Sequence, residues 1–369
     1  MNVFLTFDIE IWCNGWNDLD RAFPGSFERY IYGHSPDGDY ALPQTLAILN
    51  RHGLKGVFFV EPLFARRFGA KHLQVIVKLI RDAGQEIQLH LHPEWTNEAI
   101  EPIIDDCATK RQHLTYYTQD EQTVLIACGR SMLEAAGSGP ICAFRSGSFA
   151  ANRDTFAALQ RNAILLDTSL NRCFAVSGPD LRHAHAFDTA FRVQDVSTYP
   201  VTVLKDGFGK DRPAQIGACG LRELCEALSS AQKTGTRDFV LVSHNFELLK
   251  AGSSSPDWIV VKRFEGLCAF LARHPNRFQV RGFAQDMRLA STPQPSTPAP
   301  RASWPATGMR YLEQIRRRLR LYRRIDLDGH LVELAPRDGA HRVRDVGPRR
   351  PQVGEDHLVV RALVLHRIH

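Results

Sequence analysis

Short apolar runs rich in β-branched and aromatic residues alternate along this chain with stretches whose apolar positions recur at helical spacing. The runs predict strands at Val3–Phe7, Gly56–Val60, Glu86–Leu91, Ile141–Arg145, Ile164–Leu166, Phe239–Ser243 and Phe278–Val280. The helical stretches are Ala41–His52, His72–Ala83, Asp120–Ala136, Asp154–Arg161, Leu221–Ala231 and Val260–Arg273. Gly53 and Gly84 stand where the first two of these helices should stop. Strand and helix in regular alternation imply an α/β fold with a parallel sheet or barrel, and seven strands suit a barrel.

Composition narrows the class. With 369 residues, 44% apolar and 23% charged, the chain can fill a core and is neither disordered nor fibrous. Apolar runs such as Gly56–Val60 fall far short of the ~20 residues that cross a bilayer. The opening residues Met1–Asp8 lack the pattern of a secretory signal, so a soluble, cytoplasmic protein is expected. Eight scattered cysteines with no C-x-x-C pair read as reduced, mostly buried thiols.

The net charge of +6 is unevenly spread. From Ser291 onward there are 15 arginines, no lysine and 8 acids, a surplus of seven, so the body is close to neutral. The Pro/Ser/Thr-rich run Ser291–Pro300 has the composition of an extended linker. The expected organisation is a barrel over residues 1–289, a linker over 290–308 and an Arg-rich extension over 309–369.

The candidate chemistry lies at strand ends. In Thr6-Phe7-Asp8-Ile9-Glu10 strand alternation puts Asp8 and Glu10 on one face. The same parity unites His90, His92 and Glu94 in the run Glu86 to Trp95. Imidazoles and carboxylates converging at the carboxyl ends of parallel strands describe ligands for a divalent metal. Arg145 ends another strand before the small-residue loop Ser146-Gly147-Ser148, and Asp167 ends the next. His244 closes the apolar run Phe239–Ser243, where a titratable imidazole suits a general acid. Asn245 and Glu247 fit equally well in a structural turn there.

Taken in order, Thr-Phe-Asp, Glu-Ile-x-x-His, Phe-Arg-x-Gly-x-Phe, an apolar strand ending in Asp, and Leu-Val-Ser-His resemble the motifs of the polysaccharide deacetylases, a family of carbohydrate esterases. The resemblance spans Val3 to Phe283. It implies a distorted (β/α)7 barrel, a divalent ion, expected to be zinc, and removal of an acetyl or formyl group from an N-acylated amino sugar. In that scheme a water on the metal attacks the amide carbonyl, a carboxylate takes its proton, and a histidine protonates the leaving amine.

Carried onto this chain, Asp8 matches the catalytic base, Arg145 the residue that orients it, His244 the acid and Asp167 the carboxylate supporting that acid. Ile9 replaces the family's second Asp, leaving Glu10 to bind metal, with Asp8 either base or ligand. His90 matches the first metal histidine; Glu94 occupies the place of the second, and His92 is its substitute. Trp12, Trp95 and Phe149, with Trp16, are aromatic surfaces on which a sugar could stack, and Asn14 to Asp39 reads as an insertion over the barrel mouth.

The resemblance and the charge distribution imply a carbohydrate or glycolipid substrate from surface-polysaccharide or lipopolysaccharide assembly, with no nucleic-acid partner. Two other readings stand beside this one: hydrolysis of a non-sugar amide on the same barrel, and a carbohydrate-binding or scaffold protein without activity. Apolar residues at 312, 315, 319 and 322 beside arginines predict a basic amphipathic helix suited to a membrane surface or a partner.

Overall fold

The computed structural model describes residues 1–284 and 297–325, with side chains to Arg317. In chain order the elements are β1 (Asn2–Ile9), α1 (Leu19–Phe27), β2 (His34–Ser35), β3 (Gly38–Asp39), α2 (Leu42–Arg51), β4 (Gly56–Val60), α3 (Ala65–Phe68), α4 (Ala70–Asp82), β5 (Glu86–Leu91), α5 (Gln119–Ala135), β6 (Ala143–Ser146), α6 (Arg153–Arg161) and β7 (Leu166–Asp167). There follow β8 (Phe191–Val193), β9 (Val196–Thr198), β10 (Val203–Lys205), β11 (Asp211–Pro213), α7 (Leu221–Lys233), β12 (Asp238–His244), α8 (Trp258–Ala272), β13 (Gln279–Val280) and α9 (Trp304–Ile325).

One sheet carries the molecule, in the order β12-β1-β4-β5-β6-β7-β9-β8, with β13 beside β1. Every pairing in it is parallel except β8 with β9. This is the α/β barrel expected from the alternation, curled and left open between β8 and β12. Irregular chain lines the exposed edge of β12: Thr202 N–H donates to Val240 O and Val242 N–H to Ala214 O. The edge strand is thereby kept from pairing elsewhere.

Strand parity sorts two apolar layers. Val3, Leu5, Phe7 and Ile9 of β1 join Phe58, Val60, Leu89, Leu91 and Phe144 in the large cluster that the helices cover. Phe4, Val57, Phe59, Ala143, Leu166, Val240 and Val242 face inward and fill the barrel. The inward set turns polar at the carboxyl ends of the strands, and the chemistry sits there.

Local signals explain the helix ends. Thr118 and Glu121 form a capping box on α5, and Asn152 with Thr155 does the same on α6. Gly53 and Gly84 close α2 and α4 with φ of 63° and 68°, as their positions predict. Residues 14–39 form an ordered layer: α1 buries Phe23 and Phe27, and Phe23 stacks on Phe68 at 3.7 Å.

A first compact unit runs from Met1 to Arg310, beyond the boundary near 290 that composition suggests. Residues 300–310 are tied into it. Lys205 N–H donates to Pro300 O, and Ala302 N–H to Lys205 O. Arg310, fully buried, meets Glu223 at 2.9 Å and Asp206 at 3.2 Å. A second unit begins at Tyr311, within α9. The expected linker residues 290–296 and the extension beyond 325 lie outside the described residues. No helix among the described residues is long and apolar enough to cross a membrane. All eight cysteines are unpaired; Cys13, Cys219 and Cys268 are buried and the other five half-buried.

Candidate metal centre

Glu10 is the hub. Its Oε1 lies 3.4 Å from His90 Nε2, 3.4 Å from His92 Nε2 and 3.6 Å from His244 Nε2. Two parallel strands, with β1 and β4 between them in the sheet, deliver the three imidazoles: β5 carries His90 and leads to His92, while β12 ends in His244, in register with Asp8. Asn245 fixes the end of β1, donating to Glu10 O at 3.0 Å and accepting from Glu10 N–H at 3.2 Å. Its side chain continues the ladder one residue past the last paired backbone.

His90 and His244 are hydrogen-bonded from behind, and His92 has a carboxylate behind it without a hydrogen bond. Nδ1 of His90 lies 2.8 Å from Arg145 O, which fixes the tautomer and leaves Nε2 as a bare lone pair. Nδ1 of His92 lies 3.3 Å from Glu94 Oε2, and Nδ1 of His244 is 2.9 Å from Glu247 Oε1. Glu94 therefore stands behind His92, on the far side of the ring from Glu10, and His92 takes the inner position.

Ligand atoms of Glu10, His90 and His92 all lie within 4.8 Å of one another, and so do those of Asp8, Glu10 and His244. The two groups share Glu10 and no imidazole. Nε2 of both His90 and His92 is buried without a hydrogen-bond partner. Orphaned buried nitrogens are costly unless something fills the gap between them. Two imidazoles and a carboxylate are a donor set that suits a divalent ion such as zinc, so these residues fit the metal that the motifs imply.

Asp8 belongs to the second group and is clamped. Arg145, wholly buried, gives Nη1 to Asp8 Oδ1 at 2.6 Å and Nη2 to Thr6 Oγ1 at 2.8 Å and Thr168 Oγ1 at 3.2 Å. Its guanidinium lies 4.5 Å from the centre of the Phe59 ring. The pair leaves Asp8 Oδ2 facing His244 Nε2 at 4.0 Å.

Charge follows geometry. Burial pushes the Glu10 carboxyl up, but His92, His90 and His244 together outweigh it and hold it well below the usual carboxylate range. Burial depresses His92, and Glu10 and Glu94 overcome that to raise it well above an ordinary imidazole. His244 is pushed up to about 9: burial opposes its charge, while Glu247, Glu10 and Asp8 favour it more strongly.

Several sequence expectations need correction. Asp167 does not support His244. Leu166 faces the barrel interior, so Asp167 points the opposite way and Thr168 is the residue that reaches Arg145. The Asp167 carboxylate accepts from Ser169 Oγ at 2.5 Å, Ser169 N–H at 3.0 Å and Thr198 Oγ1 at 2.8 Å. Burial still pushes it up to about 6. Glu247 holds His244 instead. It is buried and accepts also from Gln215 Nε2 and from Gly217 N–H at 2.6 Å.

The aromatic surfaces change too. Trp95 is only 2% exposed and packs against Trp16, Phe64 and Phe68. Phe149 is buried in the inner cluster against Phe174. Neither offers a face to a sugar. Trp12 does flank the site: its indole donates to Glu10 Oε2 at 2.6 Å and meets His92 edge-on at 4.9 Å. Gly147 is a further requirement, because a Cβ there would fall 2.8 Å from His92 Nδ1 and Leu91 O. Ser148 and Phe149, which follow, hold φ of 54° and 58°, a conformation non-glycine residues rarely adopt.

No family profile matches the sequence, and no curated protein matches it. Solved structures do. One is a Mycobacterium smegmatis protein assigned as a polysaccharide deacetylase, 19% identical, with TM-score 0.48 over 80% of this chain and 94% of that one. Another is the family 4 carbohydrate esterase of Streptomyces lividans, solved with acetate, 14% identical, with TM-score 0.39 over 79% and 98% of the two chains. The 4-alpha-glucanotransferase of Thermococcus litoralis, 8% identical, gives TM-score 0.51 over 89% of this chain and 46% of that enzyme. At these identities the likeness is one of fold.

Proposed function

We propose that this protein is a metal-dependent hydrolase that removes an acetyl or formyl group from an N-acylated amino sugar or a glycoconjugate built on one. The observation that carries the reading is the convergence of His90 and His92 on Glu10, with two orphaned Nε2 atoms aimed into one buried gap. Glu10, His90 and His92 would hold the ion. A divalent ion bound by them supplies Lewis acidity to a carbonyl oxygen and lowers the pKa of water.

The chain's own groups divide the proton work. Asp8, its Oδ1 committed to Arg145, offers Oδ2 to take a proton from the attacking water. His244, kept protonated by Glu247, gives its Nε2 proton to the departing nitrogen. A C–O bond forms, the C–N bond breaks, and the products are a carboxylate and a free amine. Arg145 orients Asp8 and never meets the substrate, being wholly buried. Trp12 forms one wall, where a sugar ring could rest.

The reading includes a cytoplasmic substrate such as a nucleotide- or lipid-linked precursor. Eight unpaired cysteines suit a reducing compartment. The test is release of acetate or formate from N-acyl amino sugars and their nucleotide and lipid conjugates. Wild-type protein should release it, and Asp8→Asn and His244→Gln should each lose at least about 100-fold while retaining metal. Turnover unchanged in both variants would remove the assigned roles.

A further inference from the structure

The function proposed above leaves α9 unused. The helix is continuous from Trp304 to Ile325, and its first turns turn Ala306, Thr307 and Arg310 inward. Trp304 in the first unit is 71% exposed; in the second, Leu312 is 60% exposed and Ile315 53%. Helical register puts positions 319 and 322, a leucine and a tyrosine, in line with 312 and 315. An exposed apolar stripe on a helix of this length is unusual in a soluble chain and marks a contact surface.

The sequence beside the stripe is strongly basic. Arg316-Arg317-Arg318-Leu319-Arg320-Leu321-Tyr322-Arg323-Arg324 has six arginines and no acid, and the helix holds a single acid, Glu313. An apolar stripe bordered by a surplus of arginine over acid in the sequence matches one kind of surface closely: acyl chains beneath a layer of anionic headgroups. The helix does not qualify as a membrane span, which fits lying on the surface and not crossing it. We propose that α9 is an interfacial helix that docks this protein on anionic lipid, with the stripe through Leu312 and Ile315 facing the acyl boundary and the arginines meeting the headgroups.

The test is co-sedimentation of the full-length protein with vesicles, which needs no catalysis and so stands or falls apart from the hydrolase reading. The probes are vesicles of mixed phosphatidylglycerol and phosphatidylcholine against phosphatidylcholine alone. Wild-type protein should bind the anionic vesicles, bind the neutral ones far less, and be released by high salt. Replacing three arginines, R316Q/R317Q/R318Q, should weaken binding by about 100-fold. Leu312→Glu/Ile315→Glu should weaken it by at least about tenfold, and circular dichroism should show the fold retained.

Equal binding to neutral and anionic vesicles, or no binding to either, overturns the proposal. So does a stripe variant that binds like wild type. Binding to an unrelated RNA with none to vesicles would assign the arginines to nucleic acid. Self-association lost in the stripe variant, again without vesicle binding, would assign the stripe to a second copy of the chain.

Discussion

His244, half-buried, and the buried Glu247 form a couple three residues apart on one turn: Nδ1 of the imidazole meets the carboxylate at 2.9 Å, and Nε2 is left facing Asp8 and Glu10. The carboxylate is itself fixed by Gln215 and Gly217. Glu247→Gln should therefore lower kcat about 100-fold or more, since it removes the charge that favours the protonated ring. Asp167→Asn, whose carboxylate serves Ser169 and Thr198, should leave kcat within a few-fold of wild type. Steady-state kinetics on the two variants check this, and the reverse order would restore Asp167 to the supporting role.

The same couple predicts a pH dependence of stability for the metal-free protein. His244 is raised from an ordinary value of 6.5 to about 9, so the folded state binds its proton more tightly than the unfolded chain. Its contribution is fully present below about pH 6.5 and is lost as pH rises through 9, a swing on the order of 3 kcal/mol. Urea denaturation of wild type and His244→Gln across this window should show the difference between them shrinking as pH rises. A difference that is flat or grows contradicts the assignment.

Arg145 and Asp8 are a buried pair, and removing one charge strands the other. Arg145→Met should cost about 3–5 kcal/mol. The double variant Arg145→Met/Asp8→Leu should recover much of that loss, because no unpaired charge remains. Chemical denaturation measures both.

Gly147→Ala tests the close approach to His92. The added methyl would push against the imidazole and against Leu91 O, so metal affinity should fall about 10- to 100-fold. Competition with a chelator reads this directly, and unchanged affinity would mean that the loop yields freely.

Arg310 links residues past the Pro-rich run to the barrel. A chain ending at Arg310 should keep the wild-type midpoint of thermal unfolding. One ending at residue 296 leaves Glu223 buried without its arginine and should be destabilised by about 3 kcal/mol or more. Equal midpoints for the two truncations would show that the segment is dispensable.

What the sequence revealed and what it hid differ for physical reasons. β1, β4, β5 and β12 were legible because continuous apolar runs mark strands buried on both faces, and the two-residue strand period then sets Asp8 with Glu10 and His90 with His92. β7 has two residues, too few to reveal its parity, so nothing local corrects the supporting role that the resemblance implies for Asp167. β8 and β9, three residues each, carry no pattern longer than chance. Glu247 sat three residues from His244 in plain view, but whether such a residue turns toward the ring depends on Gln215 and Gly217, distant in sequence. Residues 300–308 read as linker and Arg310 as part of the extension, because the anchor, Arg310 on Glu223, is a long-range contact with no local signature.

The account rests on Glu10, His90 and His92 holding a divalent ion, and metal content by mass spectrometry on untagged protein tests it most directly. About one zinc, or a similar divalent ion, per chain is expected, lost in His90→Ala/His92→Ala and retained in Asp167→Asn. No ion in wild-type protein, even after incubation with zinc, iron and cobalt, would contradict it.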